Sequence, residues 1–308
     1  MIRTKLASLL VTAFAVAALA IPANADAIVV KHRQGETTLA AIPAKVIVFD
    51  MASLDTLDAL GVEVAGVPAG RKPAYLKAYE GEKYAKVGTL FEPDYEAVSA
   101  AAPDLIVIGG RSAAKYAELS RIAPTIDLSV DAKAFKGSAE ENVRTLGALF
   151  GKSPEAETLI GKLESSASAL KEKAQGAGNG LLILTTGGKM SAYGPGSRFG
   201  VLHDDYGVVP AAADLKPGKS SNHGQAISFE FILETDPDWL FVIDRDAAIG
   251  REGTAAAAFL DNEIVRQTKA WKNGHVVYLD AASWYVVGGG IQSMQRTVDQ
   301  LTTAFAGE

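Results

Sequence analysis

The sequence has no cysteine among its 308 residues, and this absence excludes several kinds of site. Disulfide bonds, cysteine-ligated zinc or iron–sulfur centres and a thiol nucleophile cannot form. A lipid attached to an N-terminal cysteine is excluded as well. A surplus of positive charge is also missing, because the net charge is −6, so we expect no nucleic-acid partner. An anionic ligand would have to meet a local cluster of arginines.

Catalytic motifs are equally scarce. The sequence has no G-x-x-x-x-G-K-[ST], H-E-x-x-H or G-x-S-x-G, and its loop "GPGSRFG" lacks the dinucleotide-binding spacing. We therefore expect a binding protein and not an enzyme.

Residues 1–25 have the composition of an export signal. Arg3 and Lys5 precede an apolar run, and "ANA" at its end supplies the small residues that signal peptidase reads. The run is shorter than the roughly 20 residues of a membrane span. We expect cleavage before Asp26 and a protein that is free in the periplasm and not lipidated.

The rest of the chain alternates short strands rich in Val, Ile and Leu with helical segments. "KVIVFD" (residues 45–50) precedes a helix in which Leu54, Leu57 and Leu60 share one face, and "DLIVIGG" (residues 104–110) precedes another. Continuous apolar strands that alternate with helices are typical of parallel sheets covered on both faces.

An internal repeat divides this pattern into two. "YEAVSAAAPDLIVIGGR" (residues 95–111) and "FEFILETDPDWLFVIDR" (residues 229–245) share an aromatic–Glu start, a Pro-Asp pair, an apolar strand and a final arginine. The matched pairs, all at one interval, are Glu96 with Glu230, Pro103 with Pro237 and Arg111 with Arg245. We infer two lobes built from the same unit, at residues 26–137 and 177–308.

Residues 138–176 separate the lobes and are predicted to be helical. Ser138 with Glu141 has the spacing of a capping box, and Ser153-Pro154 begins a second, longer helix. A long helix between the lobes would keep their separation nearly fixed.

Three arginines are expected to meet at the cleft between the lobes. Arg111 and Arg245 follow strands, and Arg198 lies in the glycine-rich loop at residues 191–200. Ligands of open α/β sheets bind beyond the carboxyl ends of the strands, where a forked guanidinium can hold anionic oxygens. The alternative for each arginine alone is a solvated side chain or an ion pair.

Two further side chains are candidates for metal binding. Tyr285, next to Trp284, precedes Gly288 to Gly290, which suggests a flexible loop that presents the phenol. His223 lies in the polar loop "KPGKSSNHGQ". A phenolate and an imidazole can both bind ferric iron, although packing in a core or rim is the alternative for the tyrosine.

Together these segments resemble the periplasmic binding proteins of ABC importers for iron complexes and vitamin B12. The resemblance extends over essentially the mature chain, from "IPAKVIVFDMASLDTLDALG" to "WKNGHVVYLD". It is greatest with the branch that binds catecholate siderophores such as ferric enterochelin. It implies two Rossmann-like α/β lobes with mostly parallel sheets, one long interdomain helix and a ligand cleft between the lobes.

The resemblance also implies a role for each candidate. Arg111, Arg198 and Arg245 match three arginines beneath the catecholate oxygens, while His223 and Tyr285 match loop residues that reach the iron. The ferric iron would be cargo within the siderophore, with no permanently bound cofactor.

Docking on the membrane permease is implied at two acidic positions. Glu96 and Glu230 match one acidic residue on each lobe that binds permease arginines, although stabilisation of a helix start explains both residues equally well. Trp284 is expected to line the ligand site, Trp239 to lie near it, and the protein to be a monomer.

The sequence is also compatible with other functions. A haem carrier of the same family could use tyrosine and histidine as axial ligands. An apolar cleft without three arginines would favour this alternative. A zinc or manganese carrier would need clustered ligands, whereas the four histidines are scattered. A periplasmic hydrolase or reductase would reveal itself by product formation.

Overall fold

A computed structural model of the protein describes residues 27–215 and 223–307. The predicted export signal lies outside the described residues, as does most of the loop that precedes His223. In these two ranges, no helix combines the length and the apolar character that crossing a membrane requires.

The N-terminal lobe is built on a parallel sheet of five strands in the order β5-β4-β3-β6-β7. An antiparallel hairpin precedes it, formed by β1 (Ile28–His32) and β2 (Gly35–Leu39). The sheet strands are β3 (Val46–Val48), β4 (Gly66–Val67), β5 (Ala85–Lys86), β6 (Leu105–Ile108) and β7 (Thr125–Asp127). The helices of this lobe are α1 (Met51–Ala59), α2 (Tyr95–Ala101) and α3 (Tyr116–Leu119), with 3₁₀ turns at Ala74–Glu80, Gly110–Lys115 and Ala132–Ala134.

The continuous apolar strands follow from burial on both faces. Successive side chains of β3 point in opposite directions, so Val46 and Val48 pack in the core with Leu54 of α1. Ile47 between them packs in a second core with Val98 of α2. Each face of the sheet is thus covered by helices, as the sequence pattern indicates.

Two helices follow, α4 (Phe135–Leu149) and α5 (Ser153–Gly176). The predicted capping box at Ser138 is wrong, because α4 already begins at Phe135. The Ser138 hydroxyl instead accepts a hydrogen bond from the Asp131 N–H at 2.9 Å and donates to the Phe135 carbonyl at 3.2 Å. It therefore ties the preceding turn to the helix from a position inside the first turn.

Helix α5 begins at Ser153 with Pro154 in its first turn, as expected. It buries Ile160, Leu163 and Leu170 in the core that runs between the lobes. The domain boundaries at residues 137 and 177 stay a prediction.

The C-terminal lobe contains a mixed sheet of six strands, ordered β11-β9-β8-β12-β13 with β10 beside β8. Strands β8, β10, β12 and β13 are parallel, while β9 and β11 are antiparallel to their neighbours. The strands are β8 (Asn179–Thr186), β9 (Lys189–Tyr193), β10 (Val209–Pro210), β11 (Gln225–Ile227), β12 (Trp239–Asp244) and β13 (Val276–Tyr278). The two-lobe α/β fold is therefore confirmed.

Within residues 177–215 and 223–307, this lobe also contains six helices, one 3₁₀ turn and one π-helical segment. They are α6 (Val201–Asp204), α7 (Phe229–Thr235), α8 (Arg245–Ala248), α9 (Ala256–Leu260), α10 (Lys269–Lys272) and α11 (Ile291–Ala306), a 3₁₀ turn at Val265–Gln267 and a π-helical segment at Ala282–Val287. Helix α11 packs against α5 and also against α1 of the other lobe. The lobes are consequently joined by packing as well as by the chain.

The internal repeat is visible in the backbone. Asp94 and Ser228 are the N-caps of α2 and α7, each accepting a hydrogen bond from an N–H of the first turn. Both helices end in a left-handed residue, Ala102 with φ 45° and Asp236 with φ 41°. A proline follows each, and no other non-glycine residue in the described ranges has a positive φ. The same helix, turn and strand are built twice.

Candidate functional site

A cavity of about 660 Å³ lies between the lobes at the carboxyl ends of their strands. The structure places every residue that was predicted to contact a ligand or its iron on the wall of this one cavity. These residues are Arg111, Arg198, His223, Arg245, Trp284 and Tyr285. What each does to a ligand stays a prediction.

Tyr285 lies at the centre of the arginine group. The guanidinium carbons of Arg111, Arg198 and Arg245 are 5.3, 4.4 and 5.4 Å from the centre of its ring. Arg245 Nε also donates a hydrogen bond of 2.8 Å to the phenol oxygen. A phenol ring thus fills the space between three cations that come from different elements.

The backbone at Tyr285 contributes to the same arrangement. Its carbonyl oxygen accepts hydrogen bonds from Arg111 at 2.6 Å and from Arg198 at 2.9 Å. Arg111 donates a further bond of 3.3 Å to the carbonyl of Val286. The N-terminal lobe, through Arg111, therefore helps to hold the segment that carries Tyr285.

These charges change the acidity of the groups involved. Burial raises the pKa of Tyr285, but the hydrogen bond from Arg245 and the charges of Arg198 and Arg245 together exceed this effect, so the pKa lies below its usual value. Burial and the neighbouring charge of Arg198 lower the pKa of Arg111. The site thus favours an anion over additional positive charge.

Few carboxylates compensate the arginines. In the part of the chain that the structure describes, Arg111 and Arg198 form no ion pair within 4.0 Å. Arg245 has only a 4.0 Å contact with Asp246, and it donates a 3.2 Å hydrogen bond to Thr186. The alternative of arginines held in ion pairs therefore does not apply to Arg111 or Arg198.

His223 lies at the edge of the cavity and is exposed. The next residue, Gly224, passes so close to β9 that an added Cβ would lie 2.8 Å from the Tyr193 ring and would collide with the Ala192 carbonyl. The glycine thus lets the chain pass beside Tyr193, and both Tyr193 and His223 line the cavity wall.

Of the two tryptophans considered, only Trp284 lines the cavity. Its side chain is 6% exposed and meets the Phe199 ring edge-on, with 6.4 Å between centroids. The expectation for Trp239 is wrong, because this residue opens β12 at the opposite end from Arg245 and its ring stacks on His275 at 4.0 Å. Trp239 stands at the amino end of the apolar run that Arg245 follows, so the strand-end rule would already have placed it away from the cleft.

The glycines after Tyr285 do not serve the flexibility that the sequence suggested. Gly288 has φ 58°, a left-handed conformation that suits glycine. A Cβ on Gly289 would lie 2.6 Å from Val130, and one on Gly290 would lie 2.5 Å from the Asp55 carboxylate. Close approach of the other lobe explains these glycines, so the Tyr285 segment is packed in place.

Glu96 and Glu230 occupy equivalent positions in the first turns of α2 and α7, and both are exposed. A hydrogen bond with Ser228 and the backbone of the helix start lower the pKa of Glu230. A helix start therefore accounts for both carboxylates, and the structure does not test docking.

Sequence reasoning missed several parts of the site. Asp50 and Thr186 line the cavity at the ends of β3 and β8, and Phe91 stands at its rim, 57% exposed and 5.9 Å from the Arg111 guanidinium. The strand-end rule that selected Arg245 could also have found the first two. The hairpin from β8 to β9 was missed too, although its Gly187-Gly188 pair is a hairpin signal.

No group of three or more His, Cys, Asp or Glu side chains with the geometry of a metal site occurs in residues 27–215 and 223–307.

Comparison with known proteins identifies the family. A family model described as periplasmic binding protein matches residues 46–282. The chain belongs to the periplasmic binding protein family. It is similar to the petrobactin-binding protein YclQ of Bacillus subtilis, with 43% identity over 281 residues that cover 90% of this chain and 87% of that protein. The crystal structure of YclQ matches with a TM-score of 0.88 at 42% identity, covering 92% of this chain and 100% of that one.

Two relatives from Vibrio support the same assignment. The ferric-anguibactin-binding protein FatB of Vibrio anguillarum is 32% identical over 284 residues, which cover 90% of this chain and 87% of FatB. The periplasmic catecholate-siderophore-binding protein VctP of Vibrio cholerae matches in structure with a TM-score of 0.85 at 34% identity, covering 90% of this chain and 100% of VctP. The relatives are solute-binding proteins, and the prediction of a binding protein that is not an enzyme is confirmed.

Proposed function

We propose that this protein is the periplasmic solute-binding component of an ABC importer, and that it captures a ferric catecholate siderophore and delivers it to the inner-membrane permease. The observation that carries the proposal is the convergence of Arg111, Arg198 and Arg245 around Tyr285, with the first two free of ion pairs in the described chain. Partly buried cations without a carboxylate within 4.0 Å favour an anionic ligand that compensates their charge.

The chemistry of the cavity wall suits catecholates better than haem. A ferric catecholate carries negative oxygens on flat aromatic rings, and guanidinium groups can bind the oxygens while aromatic side chains face the rings. Phe199 and Trp284 provide such rings beside Arg198. A haem pocket would instead present an apolar wall, without three arginines at its centre. The relatives named for petrobactin and for catecholate siderophores favour the same class of ligand.

Tyr285 and His223 are proposed as direct iron ligands. A tetradentate siderophore leaves the octahedral shell of ferric iron incomplete, and a phenolate and an imidazole can complete it. The lowered pKa of Tyr285 makes it easier for the phenol to release its proton to solvent and to bind iron as a phenolate. In this mechanism the phenol oxygen exchanges its bond with Arg245 for iron, and the arginines turn to the siderophore oxygens.

Delivery requires contact with the permease. Glu96 and Glu230 lie in the first turns of helices that run opposite to the parallel strands, and therefore at the same edge of each sheet as Arg111 and Arg245. One exposed carboxylate on each lobe beside the cleft mouth could bind arginines on the permease. We further propose that the mature protein is a periplasmic monomer without a permanently bound cofactor.

Titration with defined ligands tests the ligand class. Purified protein is mixed with ferric bis-catecholate, ferric tris-catecholate, a ferric hydroxamate and haem, and tryptophan fluorescence is followed. We expect quenching by the catecholates, through Trp284 in the cavity wall. Tight binding of haem alone, or no response to either catecholate, would contradict the proposal.

Replacement of single arginines tests the site. Arg111→Gln, Arg198→Gln and Arg245→Gln should each weaken binding of ferric bis-catecholate by about tenfold or more, the effect of losing a hydrogen bond to a charged group. Arg144→Gln is the matched control, because Arg144 pairs with Glu157 on the surface of α4 and α5. Unchanged affinity in all three cavity variants would mean that the ligand binds elsewhere.

A further inference from the structure

The segment that carries Tyr285 belongs to the C-terminal lobe but is fixed at both ends. At its start, the Asp280 carboxylate accepts hydrogen bonds from the backbone N–H groups of Ala282 at 3.0 Å and Ser283 at 3.2 Å, and from the Ser283 hydroxyl at 3.1 Å. At its end the chain turns through three glycines into α11. The position of Tyr285 therefore depends on how α11 begins.

Helix α11 has no N-cap side chain of its own, because its N-cap residue is Gly290. Asp55, in the middle of α1 in the other lobe, caps the helix instead. Its Oδ1 accepts from the Gln292 N–H at 2.8 Å, and its Oδ2 accepts from the Ser293 N–H at 3.1 Å. A carboxylate at these N–H groups satisfies the free donors of a helix start and suits the helix dipole.

Other polar groups complete the contact between the lobes. The Tyr75 hydroxyl donates to Asp55 at 2.7 Å, so the fully buried carboxylate has a third donor. The Gln292 amide donates to the Asp55 carbonyl at 3.1 Å and to Asp58 at 2.8 Å. A buried carboxylate with three donors has one well-defined geometry, since moving α11 would remove two of them and leave only Tyr75.

Helix α11 is connected in turn to the Tyr285 segment. The Ser293 hydroxyl donates to the Ser283 carbonyl at 2.9 Å, and the Gly288 N–H donates to the same oxygen at 2.9 Å. Gly290 approaches the Asp55 carboxylate too closely for any side chain. A continuous path of hydrogen bonds thus leads from Asp55 through Ser293 to Ser283, two residues before Tyr285.

We propose that Asp55 is a positioning residue for ligand binding. By capping α11 from the opposite lobe, it holds the Tyr285 segment in the position where the phenol contacts both the arginines and the iron. The inference rests on the proposed function, because it assigns to Asp55 the placement of the proposed iron ligand. Asp55 itself does not contact the cavity.

The test compares two complexes that differ in their need for Tyr285. Asp55→Asn keeps the shape but loses an acceptor, and Tyr75→Phe is a milder change that removes one donor. At pH 8, where Asp55 is ionised, we expect Asp55→Asn to weaken binding of a tetradentate ferric bis-catecholate by about tenfold, the factor for one lost hydrogen bond to a charged group. Binding of a hexadentate tris-catecholate should change much less. The ligand-to-metal charge-transfer band should shift for the first complex only, and Tyr75→Phe should change both readouts in the same direction by a smaller amount.

Asp94→Asn is the matched control, because Asp94 is also an N-cap aspartate of the N-terminal lobe but its helix does not lead to Tyr285. It should lower stability without changing either affinity. Equal losses for the two complexes, or an unchanged charge-transfer band in both Asp55→Asn and Tyr75→Phe, would overturn the inference and leave the proposed function intact. If Asp55→Asn does not fold, Tyr75→Phe decides by the same criteria. A wild-type protein that binds neither complex would overturn the proposed function and the inference with it.

Discussion

Tyr285 contacts the three arginines of the cavity through its ring, its hydroxyl and its backbone carbonyl. Its ring lies between three guanidinium groups, its hydroxyl accepts from Arg245, and its carbonyl accepts from Arg111 and Arg198. The side chain can leave this position without loss of the carbonyl contacts, because those belong to the backbone. A ligand can therefore replace the phenol among the arginines while the segment itself stays fixed.

Removal of the Tyr285 hydroxyl should distinguish ligands by denticity. Tyr285→Phe should weaken a tetradentate ferric complex by about tenfold or more, as expected for loss of a bond to a charged centre. It should leave a hexadentate complex nearly unaffected, because that complex has no vacant iron position. Fluorescence titration and the visible charge-transfer band measure both effects, with Tyr193→Phe as a control from the same cavity. Equal losses without a spectral change would show that Tyr285 only packs against the ligand.

At the scale of elements, the repeated helix, turn and strand builds each wall of the cleft. In both copies a proline follows the left-handed residue, and because a residue that precedes proline is disfavoured in the right-handed helical region, each helix ends there. Asp236 tolerates the left-handed conformation and accepts a hydrogen bond from the Lys269 N–H at 2.8 Å. Ala102 adopts the same conformation, is exposed and has no polar side chain, so its copy of the turn carries uncompensated strain.

Ala102→Gly should accordingly stabilise the protein by about 1 kcal/mol, since glycine adopts a positive φ without steric cost. Ala101→Gly, one residue earlier in helical conformation, should destabilise it by about 1 kcal/mol. Urea unfolding of the two variants measures both free energies. A destabilised Ala102→Gly variant would show that the turn is not strained.

At the scale of the whole molecule, the two lobes meet at the buried Asp55. Burial raises the pKa of Asp55 to about 7, an effect that the charge of Asp58 increases and that hydrogen bonds from Tyr75 and the start of α11 only partly offset. In the unfolded chain the pKa of an aspartate is about 3.9. At pH values between these two pKa values, Asp55 is protonated in the folded state and ionised in the unfolded state.

Stability at this interface should consequently depend on pH. The contribution of Asp55 is fully present below about pH 4 and is lost as the pH rises through about 7, a change of roughly 4 kcal/mol over the whole range. Urea unfolding at pH 5 and at pH 8 should show wild-type protein losing stability relative to Asp55→Asn as the pH rises. A difference between the two proteins that is the same at both pH values would mean that Asp55 is ionised throughout.

Transport should depend on both lobes. The double variant Glu96→Ala with Glu230→Ala should bind ferric catecholate normally and reduce iron uptake in a reconstituted importer. The double variant Glu118→Ala with Glu234→Ala removes the same charge from other exposed positions and serves as the control. Full uptake by the first variant would leave only the helix-stabilising role of these carboxylates.

Much of this architecture could be predicted from the sequence because it is local or periodic. Apolar runs such as residues 45–50 determine buried strands, and the repeated Glu, Pro and Arg spacing determines two equivalent units. The strand-end rule alone was enough to bring Arg111 and Arg245 to one cleft. The absence of cysteine excluded whole classes of site without any structural knowledge.

Only the tertiary structure decided which residues of distant segments contact one another. Trp284 lines the cavity and packs against Phe199, a residue far from it in the chain. The glycines after Tyr285 suggested a flexible loop, but Val130 and Asp55 of the other lobe occupy the space that side chains on Gly289 and Gly290 would need. Contacts between residues far apart in the chain depend on how whole helices pack. The residues around Gly289 and Gly290 in the sequence therefore do not show which distant side chain makes each glycine necessary.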